Sequence, residues 1–262
     1  DYSILDQHAE SYRKIRNTFR YLLGNLNDSF EIKNLSKLEV KRLPELEQFM
    51  LHKIYKLNLN FNKNFKNYDF HNLYKELLNF CTNDLSAFYF DIRKDCLYCD
   101  PKSSKKRGEV IKVLKIILNA LLRWFAPILS FTTEEIYKLI CNKNKSVHLE
   151  NFINYPSSFK NDELNTKWSE LIKIRDLCNH SIEEKRAKKI VGSSLEASIK
   201  IEFNEKQYQI YKDIDFAELC ITSKADIGKQ DQDDIKIETT KAKGIKCPVC
   251  WKISEKPCLR HG

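Results

Sequence analysis

Residues 109–137 read EVIKVLKIILNALLRWFAPILSFTTEEIY. In this stretch Val110, Val113, Leu114, Ile117, Leu118, Leu121, Leu122 and Phe125 recur every three to four residues. That spacing gathers apolar side chains on one stripe of an α-helix, and Pro127 then breaks or bends it. Thr132-Thr-Glu-Glu135 has the spacing of a capping box for a short following helix over 133–141. Lys112, Lys115, Asn119 and Arg123 interrupt the apolar run, so it is a core helix of a folded domain and not a membrane span.

The same period extends outward on both sides. Residues 11–30 place Tyr12, Ile15, Phe19, Leu22, Leu23, Leu26 and Phe30 on one stripe, with Arg13, Arg16, Asn17, Arg20, Gly24 and Asn27 opposite. Residues 31–43 read as a loop and 43–61 as a second helix, with Pro44 in its first turn, where the missing N–H costs nothing. Asp69 is a candidate N-cap for a third helix over 70–90. The Pro, Ser and Gly of residues 99–108 mark a loop. These elements predict an antiparallel helix bundle over 1–141, with a polar connector over 142–165. A further helix spans 166–189, starts at Trp168, ends in the charged run of residues 183–189, and has Gly192 as its stop.

Beyond residue 192 the texture changes. ASIKIEF (197–203) alternates as a strand does, ELCITS (218–223) and IKIET (235–239) are short and β-branched, and 224–234 reads as a polar linker. The predicted fold is mainly α: an antiparallel helix bundle, a small α+β subdomain and a zinc knuckle. Its expected domains are 1–158, 159–240 and 241–262.

Bulk composition narrows the class. Only six Gly and six Pro occur in 262 residues, against disorder or a collagen-like chain. Forty-five Lys and Arg against 36 Asp and Glu give a net charge of +9. Such an excess suits a polyanion partner, because phosphates bound by cations release counterions, and it equally suits a Lys-rich proteome. The nine Cys are an odd number, and residues 1–20 are too polar for a signal peptide. A reducing cytosol is therefore expected over a disulfide framework. The chain opens on Asp1, so the expectation is an excerpt, a processed product or a domain.

The sharpest motif lies last. Cys247-Pro-Val-Cys250 and Cys258-Leu-Arg-His261 form two ligand pairs seven residues apart. Two such turns supply three thiolates and one imidazole, the tetrahedral donor set that suits Zn²⁺, with no open position for water. A single structural zinc is expected, supplying folding energy that this short segment lacks. The alternative is a flexible tail with unligated thiols. Cys96-Leu-Tyr-Cys99 has no second pair nearby and reads as two ordinary thiols at a helix end. No phosphate-cradling glycine loop and no H-E-x-x-H occur. Cys178 and His180 are adjacent on a helix and so point apart, leaving no catalytic residue to nominate.

Several stretches closely resemble the C-terminal third of bacterial isoleucyl-tRNA synthetases: 12–28, 68–98, 123–137 and 168–197, then CPVCW with its following ligand pair. They occur in the family's order over nearly the whole chain. The helical part is shared with the valyl-, leucyl- and methionyl-tRNA synthetases, and CPVCW after VGSSLEA points to the isoleucine enzyme. Two departures stand out: His261 occupies a position that is usually Cys, and the stretch between the knuckles is shorter.

The resemblance implies an anticodon-binding domain and a zinc module of an enzyme that joins isoleucine to tRNA-Ile using ATP. The catalytic domain (with its His-Ile-Gly-His and Lys-Met-Ser-Lys-Ser signatures, ATP and Mg²⁺) and the editing domain are not in this chain. The implied partners are tRNA-Ile and those upstream domains, in the cytoplasm, with no membrane and no DNA. Arg13, Arg16, Arg20, Lys185 and Arg186 are candidate phosphate contacts, with Lys188 and Lys189 beside them, or else a solvated face. Trp251 either stacks on an anticodon base or covers the metal site. The equivalent part of a valyl- or leucyl-tRNA synthetase, a stand-alone RNA-binding protein derived from this region, and a DNA-repair zinc-knuckle protein remain alternatives.

Overall fold

The chain is described from a computed structural model, over residues 2–26, 35–141 and 145–261. It divides into two compact units, Asp1–Asn165 and Thr166–Gly262.

The first unit is helical. It comprises α1 (Tyr2–Asn25), α2 (Glu45–Lys66), α3 (Phe70–Asn79), α4 (Phe90–Cys99), α5 (Lys105–Phe125) and α6 (Ser130–Ile140). The periodic residues of α5 all fall in the core, and Trp124 joins them, its Nε1 donating to Asn58 Oδ1 at 3.0 Å. On α1, Ile15, Phe19 and Leu22 are buried with Thr18, and Tyr12 is half-buried. Phe30 lies outside the described residues. Pro44 stands just before α2, and its carbonyl accepts from Gln48 N. Asp69 caps α3 as expected, its carboxylate accepting from Asn72 N at 3.2 Å, and Ser104 caps α5 through Arg107 N at 3.3 Å.

Between α3 and α4 the backbone widens to a π-helix over Phe80–Tyr89. Ser86 Oγ donates to Cys81 O, five residues back, at 2.8 Å, which suits the wider turn. The packed interior also holds an ion pair: Arg93 Nε and Nη2 donate to the two oxygens of Glu47, each at 2.7 Å, and Tyr89 Oη adds a bond at 3.1 Å. Both partners are buried, and the three bonds offset part of the desolvation cost.

The capping box over residues 132–135 does not form. α6 begins earlier, at Ser130, so Thr132 and Glu135 lie inside the helix. Thr132 Oγ1 instead meets Tyr12 Oη at 3.0 Å, and Glu135 meets Arg16.

The second unit takes in α7 (Asp162–Ala187) from Thr166 onward, β1 (Ala197–Phe203), α8 (Glu205–Tyr211), α9 (Phe216–Leu219), β2 (Lys224–Lys229), β3 (Lys236–Lys241), β4 (Ile245–Lys246) and β5 (Ile253–Ser254). The sheet order is β2-β1-β3, with β1 parallel to β2 and antiparallel to β3. β1 buries Ala197, Ile199, Ile201 and Phe203 on one face, as its alternation predicts.

Three expectations are corrected here. ELCITS is not a strand. Asp215 accepts from Glu218 N at 2.9 Å and starts α9, and Ile221 then turns the chain at φ 55°. The supposed linker contains β2. Gly192 is not the stop of α7: Lys189 takes the left-handed position at φ 56°, and Ile190 N donates to Lys185 O at 2.9 Å. No helix among the described residues is long and apolar enough to cross a membrane.

Candidate metal centre and nucleic-acid interface

The metal-type cluster is built on a two-strand hairpin. β4 pairs antiparallel with β5, Ile245 opposite Ser254 and Lys246 opposite Ile253. Gly244 leads into it at φ 119°, against the backbone of Ser254 and Glu255. A Cβ there would lie 2.6 Å from Glu255 N and closer still to the Ser254 carbonyl, so only glycine lets the strands close. Ser223 fastens the hairpin to the sheet of the same unit: its Oγ accepts from Ile253 N at 2.6 Å and donates to Leu195 O at 2.5 Å.

On this frame Cys247 N donates to Lys252 O (2.9 Å) and Trp251 N to Cys247 O (3.0 Å), closing the first knuckle. His261 N donates to Cys258 O (3.1 Å) and closes the second. The donor atoms of Cys247, Cys250, Cys258 and His261 all lie within 4.8 Å of one another. Zinc at about 2.3 Å from sulfur and about 2.05 Å from nitrogen, with tetrahedral angles, requires S···S near 3.8 Å and S···N near 3.6 Å. The Cys250–Cys258 sulfurs are 3.8 Å apart, and His261 Nδ1 is 3.6 Å from Cys247 Sγ and 3.4 Å from Cys258 Sγ. The residues therefore fit the ion. Among the described residues no other group of metal donors comes together.

The electrostatics agree with that donor set. Backbone N–H groups of Cys250 and Val249 hold the Cys247 thiol down at about 6, and the Arg260 N–H lowers Cys258. Burial raises Cys250. At two of the three cysteines the shift is toward thiolate, the form that binds metal.

Trp251 sits at φ 63° and is 59% exposed, with Lys246 Nζ 5.5 Å above its ring. Ile245, Val249 and Leu259 of the same segment are also exposed. Residues 241–262 carry six basic residues and one acid, Glu255. An indole face under a cation, on a basic hairpin, is a surface that suits a base and its phosphate. Lys246, which sequence reasoning did not single out, is the cation over this ring. Its signal was available in the charge excess of this segment, but its place over the ring depends on the strand pairing.

The other cationic candidates are differently placed. Arg13 pairs with Glu10 at 2.8 Å, and Arg16 meets Glu135 at 3.2 Å and Tyr12 Oη at 3.1 Å. Arg20 is exposed. On α7, Arg186 pairs with Glu183, and Lys185 is half-buried. Cys96 is buried within α4, its thiol pushed up to about 12 by desolvation. Cys178 is buried, whereas His180 is exposed beside Glu184 at 3.4 Å, so the two do not meet.

The chain thus joins a helical unit to a small sheet unit that bears a Cys/His hairpin and a basic aromatic face. Residues 47–201 match the family described as the anticodon-binding domain of tRNA ligase, and the chain belongs to that family. It is also similar to isoleucine–tRNA ligases of Pelagibacter ubique (64% identical, 100% of this chain and 29% of that protein) and Caldicellulosiruptor saccharolyticus (39%, 95% and 28%). A third, of Zymomonas mobilis, is 37% identical over 95% of this chain and 26% of its own length. The chain thus spans under a third of these relatives.

Proposed function

We propose that this chain is the tRNA-recognition part of an isoleucine–tRNA ligase, with tRNA-Ile as its partner. The observation that carries the reading is similarity to isoleucine–tRNA ligases along the whole chain, hairpin included. In this reading ATP and Mg²⁺ act in a catalytic region outside the chain, the editing region is likewise outside it, and the protein works in the cytoplasm.

Cys247, Cys250, Cys258 and His261 would hold one Zn²⁺, which supplies a fixed tetrahedral cross-link and no open coordination position. The hairpin residues then present Trp251 with Lys246 to an unpaired anticodon-loop base, a contact worth about 1–3 kcal/mol. Arg20 and Lys185 supply long-range attraction to the phosphates. Arg13, Arg16 and Arg186 join only by exchanging a carboxylate partner for a phosphate, a small cost for exposed pairs.

The test is binding of the full chain to tRNA-Ile and tRNA-Val transcripts across a salt series, with and without chelator. Preference for tRNA-Ile that falls on chelation, and in Cys250→Ser, supports the reading. Equal binding that depends on salt alone refutes it in favour of a generic basic RNA surface.

A further inference from the structure

An exposed aromatic ledge stands at the corner between α2 and α3. Tyr68 occupies that corner at φ 57°, a conformation costly for a bulky residue, and is 82% exposed. Its ring meets Phe70 edge-on at 6.4 Å; Phe70 meets Phe65 at 5.9 Å; Phe65 stacks on buried Phe61 at 5.8 Å. The ledge is therefore rigidly continuous with the core of the first unit, and its outer end, Tyr68 with Phe70, faces solvent. Rigid aromatic area left uncovered in this way is a surface for a partner.

The surrounding charge selects the partner. Lys63 and Lys66 in the last turn of α2 are exposed and form no ion pair among the described residues. The nearby acid, Asp69, accepts from Asn72 N at 3.2 Å and Asn72 Nδ2 at 2.7 Å, and so is engaged in capping α3. Exposed π-faces at the corner that the lysine-bearing last turn of α2 runs into match an unpaired nucleotide, whose base stacks while its phosphate takes the cations.

We propose that this corner is a second RNA contact, in which a base from a single-stranded stretch of the bound RNA stacks on Tyr68 and its phosphates lie against Lys63 and Lys66. The inference rests on the tRNA-recognition reading above and adds a site in the helical unit to the hairpin of the other.

The test uses the full chain, tRNA-Ile transcript, and three variants: Tyr68→Ala, Tyr68→Trp and the double charge reversal Lys63→Glu with Lys66→Glu. Tyr68→Ala is expected to weaken binding about 5- to 150-fold, the factor that corresponds to losing one stacked base. Tyr68→Trp retains a π-face and holds within about twofold. The charge reversal is expected to lower the slope of log affinity against log salt by roughly one to one and a half units. Ultraviolet cross-linking of wild type, read by mass spectrometry, places an RNA adduct on Tyr68. A chain that binds tRNA normally with all three variants unchanged overturns this site and leaves the hairpin reading standing. A chain that binds no RNA overturns the reading on which both rest. Circular dichroism of each variant separates lost contact from lost fold, and the exposure of all three positions predicts unchanged spectra.

Discussion

Replacing Gly244 by alanine tests whether the hairpin geometry, and not the four donors alone, makes the metal site. At φ 119° an L-residue is strained by about 1–3 kcal/mol. The added Cβ would also stand 2.6 Å from Glu255 N, inside the 3.0 Å limit that real Cβ atoms respect, and nearer still to Ser254 O. Those atoms are backbone and cannot rotate away, so β5 must retreat from β4. The retreat stretches the Ile245–Ser254 and Lys246–Ile253 pairs, and with them the spacing between the knuckle starting at Cys247 and the one starting at Cys258. The backbone strain alone predicts zinc affinity lower by about 5- to 150-fold at neutral pH, with the clash adding to it. Competition against a chromophoric chelator measures that affinity directly. The helical unit contains no part of this contact, so its urea unfolding midpoint stays at the wild-type value. Wild-type zinc affinity in Gly244→Ala would refute the claim that strand closure sets the donor geometry.

Glu47→Ala leaves Arg93 charged and buried without its carboxylate, and the helical unit is expected to lose about 3–5 kcal/mol in urea denaturation, whereas replacing both partners by Leu and Met costs far less. In the metal-free chain the Cys247 thiol is held down at about 6 against an unfolded value near 9.0, so its contribution is full above the unfolded value and is lost as pH falls through about 6; thiolate absorbance of a Cys250→Ser, Cys258→Ser chain, which keeps the backbone N–H groups but not the neighbouring thiols, should titrate below the unfolded value, and a midpoint at that value would refute the backbone N–H assignment. Lys189→Gly relieves a left-handed residue at the end of α7 and should raise stability by about 0.5–1 kcal/mol, once glycine's extra unfolded-state entropy is deducted. Gly192→Ala should be near neutral, because the atoms nearest the added Cβ, from 3.3 Å, all belong to the movable Glu196 carboxylate.

What could be read from the sequence follows the range over which each feature is determined. A helix stripe repeats within a few residues, so the core faces of α1 and α5 were legible, as were Asp69 as a cap and the paired spacing of the Cys and His residues over 247–261. β2 was not, because it lies at an edge of its sheet with no position fully buried, and its apolar alternation is only two residues long, Ala225 and Ile227, set among Lys224, Asp226, Gly228 and Lys229. ELCITS carries strand-forming residues, yet the Asp215 cap outweighs that preference, and Ile221 turns back with Thr222 buried, its Oγ1 on Lys224 O at 3.2 Å. Gly192 had the expected residue type for a helix stop, but three residues before it the Ile190–Lys185 bond had already closed α7 around Lys189.

The cationic surface shows the same limit most clearly, and it bears on function. Arg13, Arg16 and Arg20 share one helix face in any reading of residues 11–30. Arg16, however, meets Glu135, which is 119 residues away in sequence and reaches it only because Thr132 and Tyr12 bring α6 against α1. Arg13 finds Glu10 one turn back. A stripe of arginines is therefore available to phosphates only as far as the fold withholds carboxylates from it. The hairpin segment differs in composition: six cations share residues 241–262 with a single acid, and Lys246 turns to the Trp251 ring. Salt-dependent attraction should accordingly be lost more readily by neutralising Lys246 and its neighbours than by neutralising Arg13 or Arg16, since each of those two arginines, when removed, also leaves an acid uncompensated and so changes the local charge without exposing any cation that RNA was using.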